Sequence, residues 1–139
     1  MKRRSEFVDS PDFSLKFRVA FPAIASETKP PCLILLHGVG SDENDLVGLG
    51  SEIDSGILVV SARASIELSP GSYAWFKVRF TPEGPVFDVD EALASLKILS
   101  GFIKEISERY GVGKTVLAGF SQGGIMSACV ALTEPESVT

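Results

Sequence analysis

The chain has 139 residues, a formal charge of −5 and a pI near 4.9. That length allows one domain at most, burying about two-thirds of the surface its unfolded form exposes. The acidic balance, with no Lys/Arg cluster after Lys2-Arg3-Arg4, excludes nucleic acid and an anionic membrane surface as expected partners.

The basic start reads as a solvated terminus, and residues 1–12 as a flexible or edge segment. Ser5-Glu6-Phe7-Val8-Asp9 follows where a signal peptide would have its apolar core, and nowhere do ~18 apolar residues run uninterrupted. A cytoplasmic protein without a membrane span is expected. Phe13 to Phe21 alternates apolar with polar or small residues, the mark of a half-buried strand near a sheet edge, and Pro22 ends it. After a Ser/Thr/Lys/Pro loop, Cys32-Leu33-Ile34-Leu35-Leu36 is continuously apolar, as in a parallel strand covered on both faces. His37-Gly38-Val39-Gly40 terminates it. Ser41-Asp42-Glu43-Asn44-Asp45 offers N-cap candidates and first-turn acids for a short helix through about Glu52, and Ile57 to Val60 is a second buried strand.

Ser61 to Pro85 is polar and punctuated by Gly and Pro. Asp88 and Glu91 are spaced as an acidic capping box opening the longest helix, in which positions 89, 92, 93, 96, 99, 102, 103, 106 and 110 form one apolar stripe. Tyr110-Gly111 is its expected C-terminus. Gly101 lies inside it at a cost of ~1 kcal/mol against Ala, which close packing on the sheet would offset. Alternating β and α segments without repeats or linkers predict a single α/β domain over 1–139, with a mainly parallel sheet and helices on both faces. Ligands in such sheets sit at the carboxyl ends of the strands.

Thr115 to Ala118 reads as a buried strand running into Gly119-Phe120-Ser121-Gln122-Gly123, and Gly124 to Leu132 as the apolar helix that follows until Pro135. A strand turning sharply into a helix at Gly-x-Ser-x-Gly is a nucleophile elbow. Gly119 and Gly123 keep the turn free of clashes, and the serine hydroxyl is exposed at the strand's end beside helix-opening amides. The competing reading is a serine that merely caps the helix.

Three stretches in order, Leu35 to Leu46, Ser72-Tyr73-Ala74-Trp75-Phe76 and Leu117 to Gly124, resemble the phospholipase/carboxylesterase family of α/β-hydrolases, which includes bacterial carboxylesterases and acyl-protein thioesterases. The resemblance covers about Pro31 to Pro135. It implies that Ser121 is the nucleophile, that the backbone amides of Val39 and Gln122 form the oxyanion hole, and that Trp75 and Phe76 lie beside an acyl-binding groove. From the residues alone, the aromatic pair is as well read as its loop's own packing anchor. No cofactor is implied. Asp42, Glu43 and Asp45 lack a histidine or further acid at ligand spacing, so no metal site is expected, and Cys32 and Cys129 fit neither a metal nor a disulfide pattern.

The chain departs from the family where an activated serine needs its base. Only residues 122–139 follow Ser121, and they contain neither histidine nor aspartate. In the family the acid and the histidine come after the serine. The one histidine, His37, reads as structural. The chain therefore reads as the N-terminal two-thirds of a hydrolase lacking the last strands, with its nucleophile strand left as an apolar edge through which copies could associate. The expected activity is serine hydrolysis of small-molecule esters or thioesters, weak or absent in the isolated chain. A non-catalytic acyl-ligand binder or interaction module, and a serine peptidase on the same fold, are the alternatives.

Overall fold

The computed structural model describes residues 4–23, 29–51 and 56–138. Its strands are Ser5–Val8 (β1), Phe17–Ala20 (β2), Cys32–Leu36 (β3), Leu58–Ala62 (β4), Ile66–Ser69 (β5), Ser72–Ala74 (β6), Val78–Thr81 (β7), Gly84–Phe87 (β8) and Thr115–Gly119 (β9). The α-helices are Val89–Tyr110 (α1) and Gln122–Thr133 (α2). Five strands form one sheet in the order β1-β2-β4-β3-β9. The apolar runs β4, β3 and β9 are parallel; β2 pairs antiparallel with β4, and β1 antiparallel with β2. Leu36 stands level with Ala62 on one side and Gly119 on the other, so these three strands end at one edge.

Strand alternation divides the core. Phe17, Val19, Cys32, Ile34, Leu36, Leu58 and Val60 enter one cluster with Leu99, Phe102, Ile103 and Ile106 of α1 and Met126 and Val130 of α2. Each such side chain, once buried, contributes about 1.5–3 kcal/mol. Both α-helices thus lie on the same face of the sheet. The opposite face is met by segment 43–44, where Ser61 Oγ donates to the Glu43 carbonyl at 2.6 Å and Arg18 Nε donates to Asn44 Oδ1 at 2.9 Å. β9 is an outer strand, and its Val116 is 45% exposed.

Several elements depart from the sequence expectation for local reasons. The strand expected from Phe13 is regular only over β2, with Lys16 and Phe21 still bonded to Arg63 and Arg4 at its flanks; before it, the Ser14 amide and hydroxyl donate to the Glu105 carboxylate at 2.7 and 2.8 Å. Arg4 is exposed, with its guanidinium 4.3 Å over the Phe21 ring. The helix expected from Ser41 is instead a turn followed by a 3-10 segment at Val47–Ser51. Asp42 Oδ1 accepts from the Asn44 amide, and the next bonds run i to i+3, from Asp45 to Asp42 and from Leu49 to Leu46. The expected end at Glu52 lies outside the described residues. The polar stretch from Ser61 contains two small hairpins, β5–β6 and β7–β8, turning at glycines with φ of +80° (Gly71) and +116° (Gly84).

Asp88 caps α1 by accepting from the Asp90 and Glu91 amides, and Gly111 closes it in the left-handed region. The capping box is one-sided. Glu91 turns away, and its carboxylate accepts from the Lys77 amide at 2.7 Å. The stripe is buried from Leu99 to Ile106, whereas Val89 and Leu93 at the start are exposed. Gly101 has no packing to justify it, since a Cβ there meets nothing within 4 Å. Gly101→Ala is therefore expected to stabilise the chain by roughly 1 kcal/mol, by helix propensity alone. Urea unfolding tests this; an unchanged or lowered midpoint would show that the position is under constraint.

Candidate active site

Parallel register brings the ends of β3 and β9 together, and the elbow is formed there by backbone meeting backbone. A Cβ on Gly119 would lie 2.2 Å from the Gly123 carbonyl carbon, and one on Gly123 would lie 2.0 Å from the Leu36 carbonyl oxygen. Only hydrogen fits at either place. With α2 pressed this closely onto the strand ends, Ser121 is held at φ 55° and ψ −114°. It is the one non-glycine residue with positive φ among those described. Such a conformation costs about 1–3 kcal/mol and persists only where its surroundings over-determine it. Ser121 occupies the N-cap position, yet its side chain makes no capping hydrogen bond, and the residue is exposed. The helix-cap reading of this serine does not hold.

Gly38 is its neighbour across the strand ends. A Cβ there would sit 3.3 Å from Phe120 Cδ1 and 3.5 Å from Ser121 Cβ. Residues 38–41 make a turn closed by the Ser41 amide donating to the Gly38 carbonyl at 3.2 Å, with Gly40 at φ +84°. The β5–β6 hairpin clamps this turn. The Gly40 amide donates to the Tyr73 carbonyl (2.8 Å), the Tyr73 amide to the Ser41 carbonyl (2.9 Å), and Ser72 Oγ to the Gly40 carbonyl (3.0 Å). The amides of Val39 and Gln122 donate to no protein acceptor among the described residues.

His37 is buried. Its Nδ1 lies 2.7 Å from the Gly38 carbonyl and its Nε2 accepts from the Ala64 amide at 3.0 Å, which fixes a neutral ring protonated on Nδ1. Burial pulls its pKa below the ordinary imidazole value, outweighing the hydrogen bond to Gly38 and the charges of Asp42, Glu43 and Asp45. With both nitrogens engaged, it has no lone pair for the Ser121 hydroxyl. The sign of its pH effect follows. The unfolded chain takes up a proton near pH 6.5 that the folded chain refuses, so stability is full above about pH 6.5 and declines as pH falls toward the depressed folded value. Urea midpoints at pH 7.5 and 5.5 should show this slope, and it should flatten in His37→Asn; a slope undiminished in that variant would assign the effect elsewhere.

Trp75 and Phe76, weighed as substrate wall or packing anchor, are both buried. Trp75 is 0% exposed, and its Nε1 donates to the His37 carbonyl at 2.9 Å. Phe76 is buried, its ring 5.1 Å from that of Phe87. The Gln122 side chain, not weighed from the sequence, is 4% exposed and bonded to both residues: Oε1 accepts from the Trp75 amide (2.8 Å) and Nε2 donates to the Phe76 carbonyl (2.7 Å).

Glu43, expected as a helix-start acid, is buried. Its carboxylate accepts from Arg63 Nε and Nη2 at 2.7 and 3.2 Å, and these bonds pull its pKa below the usual carboxylate range. Burial pushes the Cys32 thiol up to about 12, which leaves it inert as a nucleophile. Among the described residues no cluster of three or more His, Cys, Asp or Glu is placed to hold a metal ion, and no helix is long and apolar enough to cross a membrane.

Comparison with known proteins agrees with this architecture. The family model described as Phospholipase/Carboxylesterase matches residues 20–139. MhqD of Bacillus subtilis, a protein whose name assigns it to the hydrolases by inference, is 35% identical over 103 residues, covering 73% of this chain and 50% of MhqD. Among solved structures, a Mesorhizobium loti carboxylesterase superposes with a TM-score of 0.76 at 28% identity, covering 94% of this chain and 59% of that one. The Bacillus cereus carboxylesterase gives 0.73 at 27%, covering 89% and 56%. The chain thus has an α/β-hydrolase fold and spans about half the length of MhqD.

Proposed function

The chain belongs to the phospholipase/carboxylesterase family, and from that membership we propose that it carries the nucleophile and oxyanion hole of a serine hydrolase acting on carboxylic esters or thioesters. The observation that carries the reading is Ser121 itself: an exposed hydroxyl on a strained backbone, unused as a cap, beside Gly38. In the proposed reaction Oγ attacks the substrate carbonyl. The oxyanion forms against the Val39 and Gln122 amides, each such donor being worth roughly 3 kcal/mol in the transition state. The ester C–O or thioester C–S bond breaks as the leaving group takes up a proton, and water then hydrolyses the acyl-serine to regenerate Oγ–H and release the acid. The proton that leaves Oγ needs an acceptor, and His37 is committed elsewhere. Turnover by these 139 residues alone is therefore expected to lie some four to six orders of magnitude below that of an intact triad, about what loss of a triad member costs.

Prolonged incubation with excess fluorophosphonate, read by intact mass, tests the assignment. One adduct per chain is expected, slow to form and absent in Ser121→Ala, with p-nitrophenyl butyrate hydrolysis near background. A folded chain that takes no adduct would overturn the nucleophile, and rapid turnover lost in Ser121→Ala would overturn the statement that the base is missing.

A further inference from the structure

Five buried hydrogen bonds link the elbow to the turn beside it, three of them in series. The Gln122 amide group joins the Trp75 amide (2.8 Å) and the Phe76 carbonyl (2.7 Å), the Trp75 indole joins the His37 carbonyl (2.9 Å), and the His37 ring joins the Gly38 carbonyl (2.7 Å) and the Ala64 amide (3.0 Å). We propose that the Gln122 side chain is a positioning residue: through Trp75 it sets the place of the His37–Gly40 turn, and so of the Val39 amide, relative to Ser121.

The geometry needs an acceptor and a donor at the tip of one neutral side chain, aimed at a peptide N–H and at the next residue's C=O. Glutamine meets this. A glutamate keeps the acceptor but sets a carboxylate against the Phe76 carbonyl, and a leucine leaves both backbone groups buried without partners. The link has a functional logic. The two proposed oxyanion donors come from different strand ends, β3 for Val39 and β9 for Gln122. The residue that supplies one amide from its backbone thus ties down the other with its side chain. The register of β3 and β9 holds the strands level, but the turn after β3 lies beyond that pairing and depends on what grips it from the side.

The inference rests on the serine-hydrolase reading for its meaning, and its test is independent of that chemistry. Trp75 is the single tryptophan of the chain, so its emission reports the middle of the series, and amide exchange by NMR reports the turn. In Gln122→Leu we expect red-shifted Trp75 emission and exchange at residues 38–41 faster by roughly tenfold, the equivalent of about one net hydrogen bond, while core amides such as Ile34 and Val60 stay within about twofold. Trp75→Phe keeps both Gln122 bonds and breaks only the indole link, so exchange should rise at 38–41 and not at 75–76. Gln122→Glu, retaining one bond of two, should fall between wild type and Gln122→Leu. Unchanged exchange at 38–41 in Gln122→Leu, or in Trp75→Phe should the leucine variant fail to fold, would overturn the proposal. So would faster exchange spread evenly through the core, which is the signature of a merely structural side chain. Fluorophosphonate labelling of wild type beside Ser121→Ala, run in parallel, judges the serine reading separately.

Discussion

Gly123→Ala is expected to cost about 3–5 kcal/mol, at the upper end for a single substitution and enough to leave a chain of ordinary stability largely unfolded. The methyl group would enter 2.0 Å from the Leu36 carbonyl oxygen and 2.6 Å from the His37 carbonyl oxygen. These are backbone atoms at the end of β3 and in the residue after it, which cannot rotate aside as a side chain would. α2 must then lift off β3 and β9, and the contacts of Met126 and Val130 with the core are loosened with it. Helix propensity alone points the other way, favouring alanine by about 1 kcal/mol. The adjacent position separates the two effects. A Cβ at Gly124 meets its nearest atom, the Gly119 carbonyl oxygen, at 3.2 Å, a shift of a few tenths of an ångström that propensity can offset, so Gly124→Ala should stay within about 1 kcal/mol of wild type. Urea unfolding of the two variants decides the matter, and equal midpoints would mean that the elbow is not held by backbone contact. The contact that excludes the methyl group also holds Ser121 in its strained conformation, so stability and nucleophile geometry are expected to fail together.

What could be read from the sequence followed from periodicity and from sterics that act over a few residues. Cys32 to Leu36 was legible as a parallel strand from its unbroken apolar run and Thr115 to Ala118 as a strand, although β9 stands largely exposed at the sheet's edge, and Gly119 and Gly123 marked the elbow by their spacing about Ser121. The long helix was legible from Asp88 to Gly111, although its stripe did not reveal that Val89 and Leu93 would stand in solvent. The missed features depend on partners distant in sequence. Gln122 lies inside the motif, yet its amide serves residues 47 and 46 positions upstream, and no local pattern separates a buried glutamine from an exposed one. The hairpins between Ser61 and Phe87 are too short and polar for a period of two to emerge. Ser41 to Asp45 looked like the start of a helix because its acids suit a first turn, whereas Gly48 and the Asp42 side chain favour tighter turns.

Glu43 is the most consequential of these, and removing its charge is expected to cost about 2–3 kcal/mol. It is 4% exposed, bidentate with Arg63, and its own carbonyl accepts from Ser61 Oγ. Arg63 is sandwiched in turn, 4.5 Å over the Tyr73 ring and 5.0 Å over the Phe7 ring. Breaking a fully buried pair by deleting one partner costs 3–5 kcal/mol; here the Arg63 side chain is 20% exposed, so water recovers part of that in Glu43→Gln. Arg63→Met should be the worse of the two, because it strands a carboxylate that is more deeply buried than the guanidinium. Combining both substitutions should recover much of the loss, since no unpaired charge remains. The acid limb carries the same signature. Glu43 has a lowered folded pKa, so its contribution is present above the unfolded value near 4.3 and is lost as pH falls through the folded one, a window below that of His37. Urea midpoints of the two single variants and the double variant at pH 7 form the test. A Glu43→Gln variant as stable as wild type, or strictly additive losses in the double variant, would show that the pair does not hold the turn after Gly40 onto β4.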